Sequence, residues 1–365
     1  MRIGIDASKA LGRPDGIASY TAGLVRALAR VAPEQEVRLY GLLTPLDAEG
    51  VRARLGELPP SFEVASTRQP LPGEVEVFHG PAYALPAAET SPAVLTLHDL
   101  SFLSHPHCHT LDNRLHCLKG LTRALARGAK LVAVSEATRR DAVARLALAE
   151  DAIAVVPPAA HELFHPMPAA EARRTAARLG LGEEPYVLAV GVLEPRKNLR
   201  RLVAAFGALP EAVRERHLLA VAGPTGWLAE DPRSWPEVAA LGGRVRFLGE
   251  VAAQDLPALY AAAAVFAYPS LAEGFGLPVL EAMCCGAPVL TSEVSSLPEV
   301  VGEAGLLVDP LEPSSIRAGL AALLADPQRR QALAAAGLER AGRFSWEASA
   351  RAMLHLYRTA AEVFC

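Results

Sequence analysis

Short runs of apolar residues alternate along this chain with longer segments in which apolar and polar positions mix. Uninterrupted apolar runs bounded by turn residues are typical of strands buried on both faces, as in parallel sheets. The predicted strands are RIGIDA (2–7), VRLYGLL (37–43), FEVAS (62–66), VEVFHG (75–80), AVLTLHD (93–99), KLVAVS (130–135), IAVVPP (153–158), YVLAVG (186–191), LLAVAG (218–223), VRFLG (245–249), VFAYP (265–269), PVLTS (288–292) and GLLVD (305–309).

The segments between these runs predict helices. Residues 17–31 place apolar side chains at helical spacing, and residues 316–324 and 328–338 do the same. Strands that alternate with helices predict a doubly wound parallel sheet, and here the alternation runs twice. In such sheets ligands bind beyond the carboxyl ends of the strands, so the residues that follow each strand are the candidates for function.

The alternation breaks once, at residues 161–185, which contain three prolines and a helix-like middle. A chain of 365 residues is also longer than one hydrophobic core usually supports. We therefore predict an α/β protein with two Rossmann-like domains facing a cleft, residues 1–165 and 166–343.

Composition narrows the class of partner and compartment. A net charge of −4 argues against nucleic acid as the main partner. Five cysteines without a C-x-x-C pair fit a reducing cytoplasm. The amino terminus lacks the apolar stretch of a signal peptide, and no run of 18 apolar residues occurs. We expect a cytoplasmic protein, with peripheral contact to the inner membrane face left open.

Two adjacent cations follow the first predicted strand of the second half, in GVLEPRKN (191–198). Arg196 and Lys197 precede a helix, and helix amino termini with Arg or Lys favour phosphate. The chain has only four lysines, Lys197 among them. A solvated basic turn is the alternative interpretation.

The stretch SLAEGFGLPVLEAM follows the strand VFAYP and contains two glutamates, Glu273 and Glu281. Pro278 suits the first turn of a helix, which would place Glu281 in that turn. Gly274 and Gly276 let the backbone approach a ligand. The two carboxylates suit a polyhydroxylated ligand, one for sugar hydroxyls and one for a ribose diol. A helix that merely begins with favourable acids is the alternative.

The first half offers Gly16, just before a predicted helix, and His98, at the end of a predicted strand. A glycine there could admit a phosphate to the helix end, and His98 could hold a hydroxyl or be a buried structural histidine. Neither G-x-G-x-x-G nor the P-loop pattern occurs, which disfavours a dinucleotide oxidoreductase and a P-loop NTPase. The absence of D-x-D indicates neutralisation of a diphosphate by Arg196 and Lys197 instead of a metal.

HPHCHTLDNRLHC (105–117) holds four histidines and two cysteines. Their spacing matches no zinc pattern. A mobile histidine-rich loop that contacts an acceptor is therefore favoured over a metal site.

Together these motifs resemble the retaining GT-B glycosyltransferases of family 4. The resemblance rests on G-x-x-x-x-R-K-N followed by E-G-F-G-L-P-x-L-E-A-M-x-x-G-x-P-V, and extends over nearly the whole chain through GIASYTAGL, LTLHDLSF and VSEATRRD. It implies that the last segment, residues 344–365, carries a helix that crosses back to the first domain. Cys284 and Cys285 depart from the family's small residues.

The resemblance also implies a role for each candidate residue. Catalytic residues would be His98, Arg196, Lys197 and Glu273. The donor would be held by Gly16, Gly191, Arg196, Lys197, the backbone of Phe275, Gly276 and Leu277, and Glu281, without metal or other cofactor.

The implied reaction is hexosyl transfer with retained anomeric configuration, from a nucleotide-diphosphate sugar to a glycan or lipid-linked acceptor. GDP-mannose is the favoured donor, and UDP-glucose or a related hexose donor is the alternative. Two other functions stay open: a sugar-nucleotide 2-epimerase, and a catalytically weak protein that only binds nucleotide sugars.

Overall fold

The computed structural model describes residues 1–12, 15–227 and 230–362, which form two compact units. The first unit contains Met1–Ser104, Leu111–Ala159 and the chain from Phe344 onward. The second contains Ala160–Arg343 and the short segment His105–Thr110. The sequence pattern did not indicate that a segment from the middle of the first half joins the second unit.

The first unit is built on a seven-stranded sheet in the order β3-β2-β1-β4-β5-β6-β7, with every pair parallel. Its strands are β1 Arg2–Asp6, β2 Glu36–Tyr40, β3 Phe62–Val64, β4 Val77–Gly80, β5 Ala93–Leu97, β6 Lys130–Ala133 and β7 Ile153–Val155. Its helices up to residue 159 are α1 Gly16–Val31, α2 Ala48–Leu55, α3 Ser101–Ser104, α4 Leu111–Ala126 and α5 Glu136–Leu146.

The second unit is built on a six-stranded parallel sheet in the order β10-β9-β8-β11-β12-β13. Its strands are β8 Tyr186–Val190, β9 Leu218–Ala222, β10 Val245–Gly249, β11 Val265–Tyr268, β12 Val289–Ser292 and β13 Gly305–Val308. Its helices are α6 Ala169–Ala176, α7 Leu199–Gly207, α8 Glu211–Arg214, α9 Pro236–Ala239, α10 Leu256–Ala262, α11 Leu277–Cys284, α12 Leu297–Val301, α13 Pro313–Ala325 and α14 Pro327–Ala341.

The last helix, α15 Trp346–Glu362, packs in the first unit. The hydroxyl of Tyr357 hydrogen-bonds Nδ1 of His79 at 2.8 Å, and Ser349 donates to the carbonyl of Pro157 at 2.6 Å. The indole of Trp346 lies so close to Gly23 of α1 that a Cβ there would be 2.3 Å away. Buried polar and close-packed contacts therefore fasten α15 to the rest of the first unit.

The predicted α/β class with two Rossmann-like parallel sheets is confirmed. Each apolar run contains a strand, and in the central strands such as β5, β9 and β11 the side chains of both faces are buried. Many strands end one to three residues before the predicted limit, as β5 does at Leu97. The residues left over form the loops that carry the candidate chemistry.

Candidate active site

The order of strands in the second unit fixes where a ligand would bind. The strands β8 and β11 are neighbours in the sheet, and the connections from them run to opposite sides. Such a switch point opens a crevice beyond the carboxyl ends of the two strands. The residues that follow β8 include Arg196 and Lys197, and those that follow β11 include Glu273. The topology therefore brings these three candidates together.

Glu273 is the centre of this cluster, with a side chain only 8% exposed. Its Oε1 accepts from Nζ of Lys197 at 2.7 Å, from the hydroxyl of Ser270 at 2.6 Å and from the hydroxyl of Tyr268 at 2.9 Å. Its Oε2 lies 2.9 Å from Nη1 of Arg196. Lys197 also donates to the hydroxyl of Tyr268 at 2.5 Å.

A second carboxylate completes the charge balance. Nη2 of Arg196 donates to Oε1 of Glu194 at 2.7 Å, and the side chain of Glu194 is 2% exposed. Glu194, Arg196, Lys197 and Glu273 thus sum to zero charge. The sequence predicted two cations at this point; the pairing of both with Glu273, and of one with Glu194, was not predicted.

The cations strongly favour the ionised form of Glu273. Burial raises the pKa of a carboxyl, but here Arg196, Lys197 and the hydroxyl of Ser270 outweigh it and lower the pKa of Glu273 to about 2. Burial and the neighbouring carboxylate raise the pKa of Tyr268 well above its ordinary value, so its hydroxyl stays protonated. At neutral pH Glu273 is a fixed anion with very little basicity.

Backbone geometry holds the loops of the cluster in place. Asn198 adopts a left-handed conformation with φ of 59°, and its buried amide donates to the carbonyls of Pro269 at 2.9 Å and Pro310 at 2.6 Å. One side chain thereby connects the loops that follow β8, β11 and β13. The carbonyl of Arg196 in turn accepts from the amide of Leu271 at 2.8 Å.

Two glycines are required by the close approach of neighbouring chain. At Gly223, with φ of 143°, a Cβ would lie 2.0 Å from the carbonyl oxygen of Gly191. At Gly276, with φ of 101°, a Cβ would lie 2.7 Å from a methyl of Leu297. Gly191 itself has φ of 140° and lies beside the Lys197 side chain. Glycine therefore lets the loops after β8 and β9 approach each other, and lets the turn before α11 pack against α12.

Glu281 lies in a different environment from Glu273. Helix α11 begins at Leu277, so Glu281 falls in its second turn and the prediction of the first turn was wrong. The side chain is partly buried, and its Oε2 accepts from the hydroxyl of Tyr260 at 3.0 Å. Burial raises the pKa of Glu281 to about 7, while that hydrogen bond opposes the rise.

The raised pKa of Glu281 predicts that the effect of Glu281→Gln on stability depends on pH. The native pKa of about 7 exceeds the ordinary value of 4.5, so the native state binds more protons between these values. The wild-type protein then loses stability as the pH rises from about 4.5 to 7, by up to about 3 kcal/mol, and the amide does not. Urea unfolding at pH 4 and pH 8 measures the free energy of unfolding of both proteins. The free energy of Glu281→Gln minus that of wild type should be larger at pH 8 than at pH 4. An equally large increase for Glu293→Gln, whose side chain is exposed, would contradict this.

In the first unit, the candidate residue His98 is partly buried. Its Nε2 donates to the carbonyl of Pro81 at 2.6 Å, and its ring packs edge-on against Tyr20 at 4.9 Å. Burial lowers the pKa of His98 below its ordinary value, although the carbonyl of Pro81 and the carboxylates of Asp99 and Asp15 oppose this. A neutral ring that donates through Nε2 presents Nδ1 as an acceptor.

Gly16 begins helix α1, and Asp15 caps the helix by accepting from the amide of Ala18 at 2.8 Å. A Cβ on Gly16 would meet nothing within 4 Å, so local packing does not require glycine there. Arg13 and Pro14 of the predicted glycine loop, and the last three residues of the predicted segment 344–365, lie outside the described residues.

The histidine-rich stretch 105–117 is not one loop, so that prediction was wrong in its second half. Residues 106–108 form a short 3-10 turn, and α4 begins at Leu111. His116 lies on α4 and hydrogen-bonds the carbonyl of Ala82 at 3.1 Å.

Across 1–12, 15–227 and 230–362, no three His, Cys, Asp or Glu side chains group closely enough to hold a metal ion. No helix in these ranges is long and apolar enough to span a membrane.

The sequence reasoning missed four functional candidates: Tyr268, Ser270, Ser295 and Glu194. Tyr268 and Ser270 flank the carboxyl end of β11, the position that the strand-end rule singles out. Glu194 lies within the stretch already chosen for its cations. Ser295 follows β12 with φ of 55°, and its hydroxyl accepts from the amide of Glu273 at 3.0 Å. No sequence pattern points to Ser295.

Parallel sheets flanked by helices, repeated in two units, define the class of two-domain α/β proteins that includes GT-B enzymes. A family model described as "Glycosyl transferases group 1" matches residues 173–340. The O-antigen chain mannosyltransferase B of Escherichia coli is 38% identical over 284 residues, which are 77% of this chain and 74% of that protein. The chain belongs to the group 1 glycosyltransferases, as its motifs predicted.

A second relative matches this chain over a smaller part of its own length. The D-inositol 3-phosphate glycosyltransferase of Segniliparus rotundus is 38% identical over 57% of this chain and 47% of its own. Among solved structures, Anabaena HepE in complex with UDP-glucose aligns with a TM-score of 0.75 at 20% identity, covering 98% of this chain and 99% of that one. Sucrose-phosphate synthase from Thermosynechococcus elongatus aligns with a TM-score of 0.71 at 24% identity, covering 98% of both chains. These structures confirm the GT-B class of fold.

Proposed function

We propose that this protein is a retaining hexosyltransferase that uses a nucleotide-diphosphate sugar and no metal ion, with mannose as the favoured sugar and a glycan or lipid-linked molecule as the acceptor. The observation that carries the proposal is the buried cluster of Arg196, Lys197 and Glu273 at the switch point of the second sheet. Mannose is favoured because the relative in Escherichia coli is a mannosyltransferase.

Arg196 and Lys197 would bind the diphosphate. Glu273 holds both cations in fixed positions before any donor arrives, so little reorganisation is needed as charge develops on the leaving phosphate. A diphosphate would approach beside Gly191, which has no side chain to block it. Two cations compensating the departing phosphate supply the role that a divalent ion would otherwise have.

The acceptor's proton would pass to the leaving phosphate. Glu273 is a weak base with a pKa of about 2, and both of its oxygens are already bonded to cations or hydroxyls. Those contacts also weaken it as a nucleophile, so a covalent intermediate on Glu273 is disfavoured. Retention then proceeds on one face of the sugar, through an oxocarbenium-like transition state, with the Glu273 carboxylate aligning the cations and holding a sugar hydroxyl.

The turn before α11 would hold the rest of the donor. Helix α11 has no side-chain cap at Gly276, so the amide of Leu277 in its first turn can donate to a sugar hydroxyl. The other residues of that turn do not add donors, because Pro278 has no N–H and the amides of Val279 and Leu280 donate to the carbonyl of Gly276. We assign these contacts to the backbone of Phe275, Gly276 and Leu277, and the ribose diol to Glu281. In the first unit we assign Gly16 to the diphosphate and Nδ1 of His98 to a hydroxyl of the transferred sugar.

A donor screen followed by a transfer assay tests this function. A nucleotide sugar that binds the folded protein should raise its melting temperature, with GDP-mannose and UDP-glucose as the first candidates. With the donor found, NMR of the product should show the donor's anomeric configuration, and excess EDTA should leave the initial rate unchanged. An inverted product would overturn the retaining assignment, and loss of activity with EDTA would overturn the metal-free one.

A further inference from the structure

The segment His105–Thr110 belongs to the second unit, although strands and helices of the first unit precede and follow it. One anchor is the indole of Trp227, whose Nε1 donates to the carbonyl of Cys108 at 3.1 Å. Trp227 also stacks on the ring of His109, with centroids 6.4 Å apart and planes 28° from parallel. The segment and Trp227 therefore hold each other in place.

Trp227 is nevertheless 48% exposed, the only tryptophan among the large hydrophobic side chains exposed in the described ranges. The hydrogen bond and the stacking fix the orientation of the indole, so its exposed surface is held in one position. The other two tryptophans differ, since Trp235 is partly buried and Trp346 is buried. An exposed and oriented aromatic face is suited to an amphipathic ligand.

The residues before Trp227 contact the loop that carries the proposed reaction site. The preceding residue, Gly226, donates its amide to the carbonyl of Leu193 at 2.9 Å, and Leu193 directly precedes Glu194. Thr225 forms a parallel bridge with the same Leu193. The loop after β9 is thus joined to the loop that carries the cations.

Cys108 connects the segment to the same cluster. Its side chain is 1% exposed, and burial raises the pKa of its thiol, on which the charges of Arg196 and Glu194 act with opposite sign. Cys108 also accepts the hydrogen bond of Trp227 through its backbone carbonyl. The loop of Trp227 is joined to the loop of the cations by the hydrogen bond between Gly226 and Leu193.

We propose that Trp227 and the His105–Thr110 segment form an acceptor subsite, in which the indole face stacks against a sugar ring of a glycan acceptor. This rests on the proposed hexosyl transfer and identifies the chemical class of its acceptor end. The apolar C–H face of a pyranose matches an aromatic plane, and the exposed imidazole of His107 can hydrogen-bond its hydroxyls. An acceptor made of more than one sugar would gain from this surface.

Saturation-transfer NMR with mannobiose and mannotriose tests the subsite without requiring turnover. Wild-type protein should transfer saturation to ring C–H protons, and Trp227→Ala should weaken binding about tenfold. Trp227→Phe should bind more tightly than Trp227→Ala and less tightly than wild type, because it keeps an aromatic face but loses the hydrogen bond to Cys108 that orients it. Trp235→Ala is the matched control, since Trp235 is partly buried and packs against Arg200 at 5.7 Å, and it should bind like wild type.

Equal sugar binding by Trp227→Ala and wild type, or no sugar binding by wild type, would overturn the subsite. So would a loss of nucleoside diphosphate affinity in Trp227→Ala, because the indole would then stack on the donor's base. The melting temperature of wild type with nucleotide sugars, measured in parallel, separates the two proposals. Donor binding without a Trp227 effect rejects the subsite alone, and a Trp227 effect without donor binding rejects the proposed function.

Discussion

Replacement of Lys197 by alanine should lower the rate of hexosyl transfer by about 100-fold or more, the scale of one lost contact to charge that develops in a transition state. The loss should appear in kcat, because the departing phosphate carries more charge at the transition state than in the bound donor. The fold should survive, since Glu273 keeps Arg196, Ser270 and Tyr268 as partners. Steady-state kinetics with the donor found by the melting screen would measure the effect.

Arg200→Ala provides the control for removing a nearby cation. The side chain of Arg200 is 58% exposed and pairs with Glu237 at 3.0 Å on the surface of the second unit. Exposed pairs contribute little to stability, and we assign Arg200 no contact with the donor. Its removal should leave the rate within about twofold of wild type. Wild-type turnover by Lys197→Ala, or an equal loss in Arg200→Ala, would contradict the diphosphate role.

Replacement of Glu273 by alanine should damage both stability and activity. Arg196 and Lys197 have side chains only 13% and 17% exposed; without Glu273, Arg196 keeps Glu194 as a partner, but the buried Lys197 loses its paired carboxylate. Breaking a buried ion pair by removing one partner costs about 3–5 kcal/mol. Activity should fall by about 100-fold or more, because the cations lose their fixed positions. Urea unfolding and steady-state kinetics would measure the two effects.

A double-mutant cycle separates the ion pair from the loss of carboxylate contacts. The double variant Glu273→Gln, Lys197→Met should be more stable than the sum of the two single changes predicts. Glu273→Gln alone leaves the buried Lys197 cation without its carboxylate, whereas the double variant has no cation at position 197. Activity should not recover, since the phosphate contact is also gone. Strict additivity of the unfolding free energies would show that Lys197 and Glu273 are not coupled in the folded protein.

The sequence predicted much of the fold because the central strands of both sheets are buried on both faces. Runs such as LLAVA at β9 are apolar throughout, which favours a strand over a loop, and the glycine after them ends the strand. The limits were less accurate, since β4 begins at Val77 although the apolar run begins at Val75. That run extends into the preceding loop because Val75 is itself buried in the core of the first unit.

The site was predictable in its positions and less so in its interactions. Strand ends and glycines indicate where Arg196, Lys197 and Glu273 lie, because the carboxyl edge of a parallel sheet is fixed by topology. Whether a carboxylate turns toward the cations depends on side-chain packing, which no spacing reveals. Glu273 and Glu281 lie in one sequence motif and were both predicted to bind a polyhydroxylated ligand, yet one has a pKa of about 2 and the other of about 7. The difference arises from cations that only the folded chain places beside Glu273.

Calorimetric titration with a nucleoside diphosphate tests the central claim most directly. GDP and UDP, each compared with its own nucleoside, should show that wild type gains most of its affinity from the diphosphate of one of them. Lys197→Met should lose that gain by about tenfold or more while binding the nucleoside as before, because one charge-assisted contact is removed. Equal diphosphate affinity in wild type and Lys197→Met would contradict the account.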